Sequence, residues 1–459
     1  MNDRPMARIR RALLASAGLA LLLGANHASA ESLADAWAKA YGSNPQIAAE
    51  RARLRTIDEG VPQAKSGWRP TVTLEGQTGV QYIEQETAFA NTDDTIYPSS
   101  ITGSVSQPLY RGGRTTADTA RAEAEVRAGR AALGNVVQQV LLAAGTAYMD
   151  VLRDEAVVNL NENNVRVLER QLQATNDRFS VGEVTRTDVA QAESRLARSK
   201  ADLKTAEGDL ETSRAAYTRQ VGEPPASLSA PSAIMGVPET LDAAVTRAAV
   251  NNPVVRQAME LHQSSRHTVD LITGELYPQV ALNGTLQQSF DTSANVQETR
   301  AAQATVDLTV PLYQSGSVYA RVRGAKNAES QRLQQIEDAR RQAIEQATQA
   351  WEQTVANRSR IVSLESEIRA NEIALEGVQQ EALVGTRTVL DILDAEQDLL
   401  DSRVNLVRAR RDEFVAVFGL LTAVGDLNPQ AMDLNVEVYD PTRYYNAVKD
   451  QWFGTTPQQ

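Results

Sequence analysis

The chain has 459 residues, a formal net charge of −12, no cysteine and only 5% aromatic residues. The lack of cysteine excludes disulfides, thiol chemistry and a lipidated N-terminal cysteine. An acidic chain of this size is a poor partner for nucleic acid, so we expect no nucleic-acid binding.

Residues 1–30 are typical of a secretory signal peptide. Four arginines precede an apolar run from Ala12 to Ala25, and Ala28-Ser29-Ala30 fits a cleavage site. Cleavage there removes four arginines and one aspartate, so the net charge changes from −12 to −15. The alternative is an uncleaved membrane anchor, but the apolar run is shorter than the roughly 20 residues that a bilayer requires.

The rest of the chain consists of two similar copies of one unit. The sequence from Leu33 to Pro45 is matched 208 residues later, and the sequence from Gln107 to Gly113 is matched 203 residues later. The five-residue difference falls in the loop before the second strand of the unit. Internal similarity over this length predicts two copies of one structural unit. We assign residues 31–222 to the first repeat, 223–240 to a linker, 241–427 to the second repeat and 428–459 to a C-terminal tail.

Each repeat is predicted to open with a helix, over about Leu33–Ser66 and Leu241–Glu275, and to continue through two strands. A long helix follows, because no proline occurs from Gly113 to Ser180 or from Gly316 to Val384. At 1.5 Å per residue, such a helix is about 100 Å long.

A shorter return helix comes after a glycine-containing turn, and its apolar residues have the seven-residue spacing of a coiled coil. In the first repeat it runs from about Thr187 to Val221. The opening and return helices hold about 35 residues each, so we expect them to pack end to end along the long helix. The apolar positions are Val189, Leu196, Leu203, Leu210 and Tyr217 in the first repeat, and Ile392, Leu399 and Leu406 in the second.

The predicted strands alternate apolar and polar residues, which indicates a sheet with one apolar and one polar face. Leu74 and Leu282 represent the apolar face, and Glu75 and Asp307 the polar one. The strands are predicted over Thr71–Tyr82, Ile101–Tyr110, Val280–Phe290 and Val306–Leu312, with polar loops over Glu84–Ser100 and Asp291–Arg300.

Two interpretations of this sheet remain open. It is either a small sandwich with its apolar face inward, or a membrane sheet with that face toward lipid. A membrane-crossing strand needs roughly 9–11 residues, and these runs are long enough. Open sheet edges are not tolerated in lipid, so four membrane strands would have to be pooled with those of other chains.

Several motifs together resemble the TolC family of outer-membrane channel proteins. They are the strand-to-helix junctions PLYRGG (Pro108–Gly113) and PLYQSG (Pro311–Gly316), and the turn GTRTVLDILDA (Gly385–Ala395). The resemblance implies an α+β fold in a homotrimer. Long antiparallel coiled-coil helices form an α-barrel, and four membrane β-strands per protomer form a 12-stranded β-barrel.

The same resemblance implies a place in the outer membrane, contact with its lipid, and extension into the periplasm. It implies a periplasmic adaptor and an inner-membrane ABC or proton-driven transporter as partners. The tail, with Tyr439-Asp440-Pro441 and Trp452-Phe453-Gly454, resembles members that serve type I protein secretion. Secretion is therefore the favoured function, and multidrug or small-molecule efflux is the alternative within the family. A periplasmic coiled-coil scaffold without a pore is the alternative from another class.

The resemblance further implies that the two helical turns form the closed periplasmic end of the tunnel. Arg387 matches the family's gating arginine, and Thr187 with Asp188 matches its acceptor. Asp391 and Asp394 match an acidic ring at the tunnel entrance. The residues implied to dock the adaptor are Val181, Gly182, Val384 and Gly385.

A simpler role for Asp188 and Asp391 is helix capping, because a threonine precedes each by three residues. Capping does not account for Asp394, one turn further along. The family often has a tyrosine shortly before the glycine of this turn, where Ala382 stands here. That difference predicts a gate that is weaker or built differently.

No catalytic set, nucleophile motif or phosphate-binding loop occurs in the sequence, so we expect neither an enzyme nor a cofactor. His262 and His267 are five residues apart and do not share a helix face. A metal site at these histidines is therefore not expected.

Overall fold

The computed structural model describes residues 30–87, 90–231, 234, 236–293 and 296–457. Residues 1–29 of the predicted signal peptide lie outside the described residues. The helices are α1 (Leu33–Ser43), α2 (Pro45–Asp58), α3 (Gly60–Lys65), α4 (Arg114–Ser180), α5 (Arg186–Val221), α6 (Leu241–Asn251), α7 (Pro253–Thr273), α8 (Ser317–Leu383), α9 (Val389–Val424) and α10 (Arg443–Val448). The strands are β1 (Thr71–Thr78), β2 (Gln81–Thr87), β3 (Ala90–Ile96), β4 (Ser99–Arg111), β5 (Gln279–Ser293) and β6 (Val296–Thr309).

Two helical hairpins of equal size dominate the molecule. The long helices α4 and α8 have 67 residues each, and the return helices α5 and α9 have 36 each. The prediction of two uninterrupted long helices is confirmed. Each begins directly after a glycine in the left-handed conformation, Gly113 at φ 76° and Gly316 at φ 77°. Glycine adopts that backbone conformation without the steric energy cost that other residues have.

Short opening helices continue the line of the return helices, as expected, but each is broken near its start. The chain turns at Asn44 and at Asn252, and a proline begins the next helix. The single opening helices predicted over Leu33–Ser66 and Leu241–Glu275 are wrong in this respect. An asparagine cap followed by proline starts a new helix, because proline lacks the N–H that a continuing helix would need.

The same two asparagines join consecutive helices end to end. The amide of Asn44 donates a hydrogen bond to Gln220 O in the last turn of α5 (3.1 Å), and that of Asn252 donates to Ala423 O in α9 (3.0 Å). Each side chain thereby satisfies a carbonyl that has no partner within its own helix. The same hydrogen bond between an opening helix and a return helix therefore occurs in both sequence repeats.

The strands form an antiparallel four-stranded sheet in the order β1-β4-β5-β6. Pairs such as Val72–Val105 and Leu282–Val306 place the apolar residues on one face, while Thr73 and Ser104 lie on the other. The apolar face is not covered: Val72 is 71% exposed and Leu286 is 68% exposed. This overturns the sandwich interpretation, since a sandwich core would be buried.

The first pair of strands is longer than predicted and is interrupted. The predicted strand Thr71–Tyr82 breaks after Thr78, and the predicted loop 84–100 contains a second hairpin of β2 and β3. Pro98 explains the break, because it has no N–H to complete the ladder. Its carbonyl instead accepts a hydrogen bond from Gly79 N–H (3.1 Å).

The second pair of strands is also longer at its far end. The predicted loop 291–300 is mostly strand, because β5 continues to Ser293 and β6 begins at Val296. At the other end β6 stops at Thr309 instead of Leu312, next to Pro311. In β4 the corresponding Pro108 is accommodated by a shift in register.

The main core lies where the two hairpins and the opening helix meet. Trp37 of α1 packs edge to face on Phe418 of α9 at 5.3 Å between ring centroids, beside the buried Tyr148 of α4. The Tyr148 hydroxyl donates to Ser229 O in the linker (2.6 Å). This core fixes the position of α9 against α4.

Candidate functional site at the hairpin tips

Each helical hairpin turns through five residues, and the two turns have nearly the same geometry. We call Val181–Thr185 and Val384–Thr388 the hairpin tips. Gly182 and Gly385 have φ values of 82° and 83°, in the left-handed region that these turns require. Apolar side chains project from both tips into solvent, with Val181 72% exposed and Val384 75% exposed.

Asp188 and Asp391 cap the helices that follow the tips. Asp188 accepts from the Thr185 N–H at 2.8 Å, and Asp391 accepts from the Thr388 N–H at 2.8 Å. The threonine hydroxyls complete a capping box in both turns. These hydrogen bonds stabilise the charged carboxylate and lower the pKa of Asp391 below its usual value. The capping geometry expected from the sequence is therefore present.

Arg387 has local partners. Its Nε donates to the Glu381 carboxylate at 2.8 Å, and its Nη1 lies 4.0 Å from Asp391. Glu381 also raises the pKa of this guanidinium. The expected pair between Arg387 and Asp188 is not formed within the chain, since both side chains are held by neighbours in their own turns. Thr187 is exposed on the first turn of α5.

Asp394 makes the contact that crosses between the hairpins. Its carboxylate accepts a hydrogen bond from the guanidinium of Arg195 on α5. Arg195 was not among the residues predicted from the sequence. No local spacing connects two residues 199 positions apart. The sequence offers one indication that Arg195 lies near another helix: it adjoins Leu196, which belongs to the apolar seven-residue pattern.

A small hydrophobic cluster supports this ion pair. Val389 and Leu393 at the start of α9 are buried against Leu168 of α4 and Ala192 of α5. Ala382, near the end of α8, is buried as well. The tip of the second hairpin is therefore held against the first by apolar packing as well as by charge.

A second set of charges joins the hairpins nearer the core. Arg411 of α9 donates to Asp150 of α4 at 2.8 Å, and Arg153 donates to both Asp150 (2.9 Å) and Asp154 (2.7 Å). These side chains are more than two-thirds buried. Partly buried, hydrogen-bonded charges of this kind hold two helices more firmly than exposed pairs, which contribute about 0–1 kcal/mol each.

Across the described part of the chain, no set of three or more potential metal ligands comes together. His262 and His267 have separate neighbours, Glu329 at 3.9 Å and Asp270 at 3.8 Å. None of the helices within the described ranges has an apolar stretch long enough to span a membrane.

Comparison with known proteins agrees with this architecture. The family model described as "Outer membrane efflux protein" matches residues 37–223 and 244–426. Outer membrane efflux protein BepC of Brucella suis is 34% identical, over 93% of this chain and 92% of the relative. Outer membrane protein TolC of Vibrio cholerae is 27% identical, over 88% and 93%. Proteases secretion protein PrtF of Dickeya chrysanthemi is 23% identical, over 92% and 94%.

Among solved structures, the outer membrane protein VceC of Vibrio cholerae has the same fold. The TM-score is 0.75 at 19% sequence identity, with 86% of this chain and 96% of that chain covered. The predicted fold class is confirmed by this likeness. The chain therefore belongs to the outer membrane efflux protein family, whose members are transport channels rather than enzymes and extend from the outer membrane into the periplasm.

Proposed function

We propose that three copies of this chain form one pore, each contributing four strands to a closed barrel of twelve. The observation that carries this proposal is the sheet, whose apolar face is exposed and whose two edge strands, β1 and β6, have no partner on their outer side within the described residues. Unpaired backbone groups cannot face lipid. Pairing β6 of one protomer with β1 of the next removes both open edges at once.

The hairpin tips form the periplasmic gate in this proposal. Thr187, Asp188, Arg387, Asp391 and Asp394 occupy the two tips and the first two turns of the helices that follow them. A threefold axis would gather three copies of each carboxylate around the entrance, which gives a field that attracts cations. Opening then requires α9 to move away from α5, and the pair of Arg195 with Asp394 is the contact that must break.

The exposed tips are the surface on which a periplasmic adaptor would dock. Val181, Gly182, Val384 and Gly385 are all exposed at the end of the molecule farthest from the sheet. An inner-membrane ABC or proton-driven transporter supplies the energy, because the chain itself has no nucleotide-binding motif.

We propose protein as the main cargo, exported by type I secretion. The support comes from the C-terminal tail and from a relative named as a proteases secretion protein. Efflux of small molecules is the second candidate, and the relative with 34% identity, named as an efflux protein, favours it. A scaffold without a pore is disfavoured, since it gives no role to an exposed apolar sheet.

A strain that lacks this gene separates the candidate functions. Loss of one or a few proteins from the culture medium, with unchanged susceptibility to drugs and dyes, is the result that type I secretion predicts. Unchanged secretion with increased susceptibility would replace secretion by efflux. If neither property changed, while the purified protein remained a water-soluble rod without detergent, the scaffold would be the correct interpretation.

A further inference from the structure

The C-terminal tail follows the first opening helix toward the sheet. Tyr439 N–H donates to the Tyr41 hydroxyl at 3.1 Å, and the Tyr444 hydroxyl donates to Glu59 at 2.6 Å. Further along, Lys65 pairs with Asp450 at 2.7 Å. The contacts advance from α1 to the end of α3 as the tail proceeds. The tail therefore runs from the main core to the level where the strands begin.

Aromatic rings of the tail stack on arginines of the helices along this path. Arg51 lies 5.0 Å from the Tyr439 ring centroid, and Arg130 lies 5.3 Å from that of Tyr445. Stacked guanidinium groups of this kind stabilise a contact through the attraction of the cation to the ring face. The tail is therefore an ordered strap on the first repeat.

The last stacked pair lies beside the sheet. Arg69 lies 4.8 Å from the Trp452 ring centroid, and its Nη1 donates to Gln451 O at 2.7 Å. Strand β1 begins at Thr71, two residues after Arg69, which is at most about 7 Å along the chain. The interfacial zone of a bilayer is about 5–7 Å deep on each side of the hydrocarbon core. In the pore proposed above, where the strands cross the membrane, Trp452 therefore lies near the periplasmic headgroup zone.

Both aromatic residues at this point are exposed. Trp452 is 58% exposed and the neighbouring Phe453 is 87% exposed, although the strap that carries them is otherwise well attached. Other exposed aromatic residues lie within four residues of the strand ends that join the helices. They are Trp68, Tyr110, Tyr277 and Tyr313.

We propose that the C-terminal strap is a membrane anchor, with Trp452 and Phe453 inserted into the interface of the periplasmic leaflet of the outer membrane. The occupant is phospholipid, because the two rings continue the aromatic belt at the end of a sheet whose apolar face is turned to lipid. Tryptophan is suited to this position, since its ring is apolar and its N–H can bond to water or a headgroup. Arg69 and Lys449, which stack on Trp452 and Tyr445, supply positive charge near the phosphates.

The absence of cysteine makes the test direct, because one introduced cysteine is the only site that a thiol reagent can label. Phe453→Cys carries a nitroxide in the full trimeric protein, reconstituted in nanodiscs of phosphatidylethanolamine and phosphatidylglycerol. The readout is the collision rate of the label with oxygen, which concentrates in lipid, relative to a water-soluble nickel chelate. Leu74→Cys on the lipid face is the hydrocarbon reference, and Ser180→Cys near the hairpin tip is the aqueous reference.

The proposal predicts an oxygen-to-nickel ratio at position 453 that lies between the two references and several-fold above that of Ser180→Cys. Thr456→Cys, also exposed on the tail, is the matched control and should resemble the aqueous reference. A ratio at 453 equal to that at 180 would place the ring in water and overturn the proposal. An immobilised label that neither reagent reaches would show that protein covers the site, and would overturn it as well.

A second measurement leaves Phe453 unchanged. Brominated phospholipids quench tryptophan near the interface, and the chain has four tryptophans, of which Trp37 is buried in the core. The anchor predicts that Trp452→Phe lowers the fraction of fluorescence quenched by these lipids. If Trp452 were in water, it would contribute only unquenched fluorescence, and removing it would raise that fraction. The sign of the change therefore distinguishes a tryptophan in the membrane interface from one in water.

Discussion

At the scale of single residues, Asp58 has the most unusual environment that the structure describes. It lies at the end of α2, is fully buried, and neither carboxylate oxygen has a hydrogen-bond partner among the described residues. Burial raises its pKa to about 6, although the charge of Arg130 acts in the opposite direction and that of Glu59 adds to the shift. Tyr439 of the tail lies on the same site. A buried acid of this kind destabilises the folded protein when it is ionised.

We predict that stability falls as the pH rises from about 4 to about 6, because the folded protein retains the Asp58 proton after the unfolded chain has lost it. A shift of about two pH units corresponds to about 3 kcal/mol per protomer. Asp58→Asn should therefore raise the thermal unfolding temperature in detergent near pH 8 and change it little near pH 4. Asp177→Asn, at an exposed position, is the control. An equal effect of Asp58→Asn at both pH values would contradict the assignment.

How far the sequence predicts single residues depends on whether their partners are local. The capping roles of Asp188 and Asp391 follow from a threonine three residues earlier, and the structure confirms that geometry. The partner of Asp394 could not be found in this way, because Arg195 lies in the other repeat. The ion pair of Arg387 with Glu381 was also not predicted, because it depends on the geometry at which the last turn of α8 meets the tip.

At the scale of elements, the junction of α1, α4 and α9 depends on a missing side chain. A Cβ at Gly145 of α4 would lie 3.0 Å from the Phe418 ring and 3.0 Å from Trp37 Nε1. The Trp37 ring is held in place, because its N–H donates to Leu141 O, one turn before Gly145 on α4, at 2.8 Å. Neither ring can move away without losing a contact of the core.

We therefore predict that Gly145→Ala destabilises the protein by about 1–3 kcal/mol, as expected for overpacking of a tight core. Gly208→Ala on α5 is the matched control. Nothing lies within 4 Å of its added Cβ, so the gain in helix propensity should stabilise that helix by up to about 1 kcal/mol. Denaturant or thermal unfolding in detergent measures both. Equal effects of the two substitutions would contradict the packing argument.

The long helices are the part of the fold that the sequence predicts best. The ends of α4 and α8 fall within one residue of the predicted ends, because glycine marks each boundary and no proline interrupts the run. The strands were less accurate. Pro98 divides the first strand pair, and the second pair extends into residues whose polar composition had indicated a loop. In the sequence, polar residues on the solvent-facing side of a strand cannot be distinguished from polar residues in a loop.

At the scale of the whole molecule, α9 is one of the elements through which the two repeats meet, together with α7 and β5. It contacts the main core through Phe418, the charges of α4 through Arg411, and α5 through Asp394. Phe418 is buried and the Arg411 pair is mostly buried, whereas Asp394 is about half exposed. Motion of α9 should therefore start at the tip and pivot near Arg411. The gate proposed above depends on this difference in strength along one helix.

Single-channel recording in planar bilayers tests this account most directly. Wild-type trimers should form pores of low conductance, and Arg195→Ala should raise that conductance, since it removes the charge that holds Asp394. Arg198→Ala is the matched control, because Arg198 lies one turn away on α5 and pairs only loosely, at 3.9 Å, with Asp202 of its own helix. It should behave as the wild type. Equal conductance in all three proteins would contradict the gate, and failure of all three to form pores would contradict the channel itself.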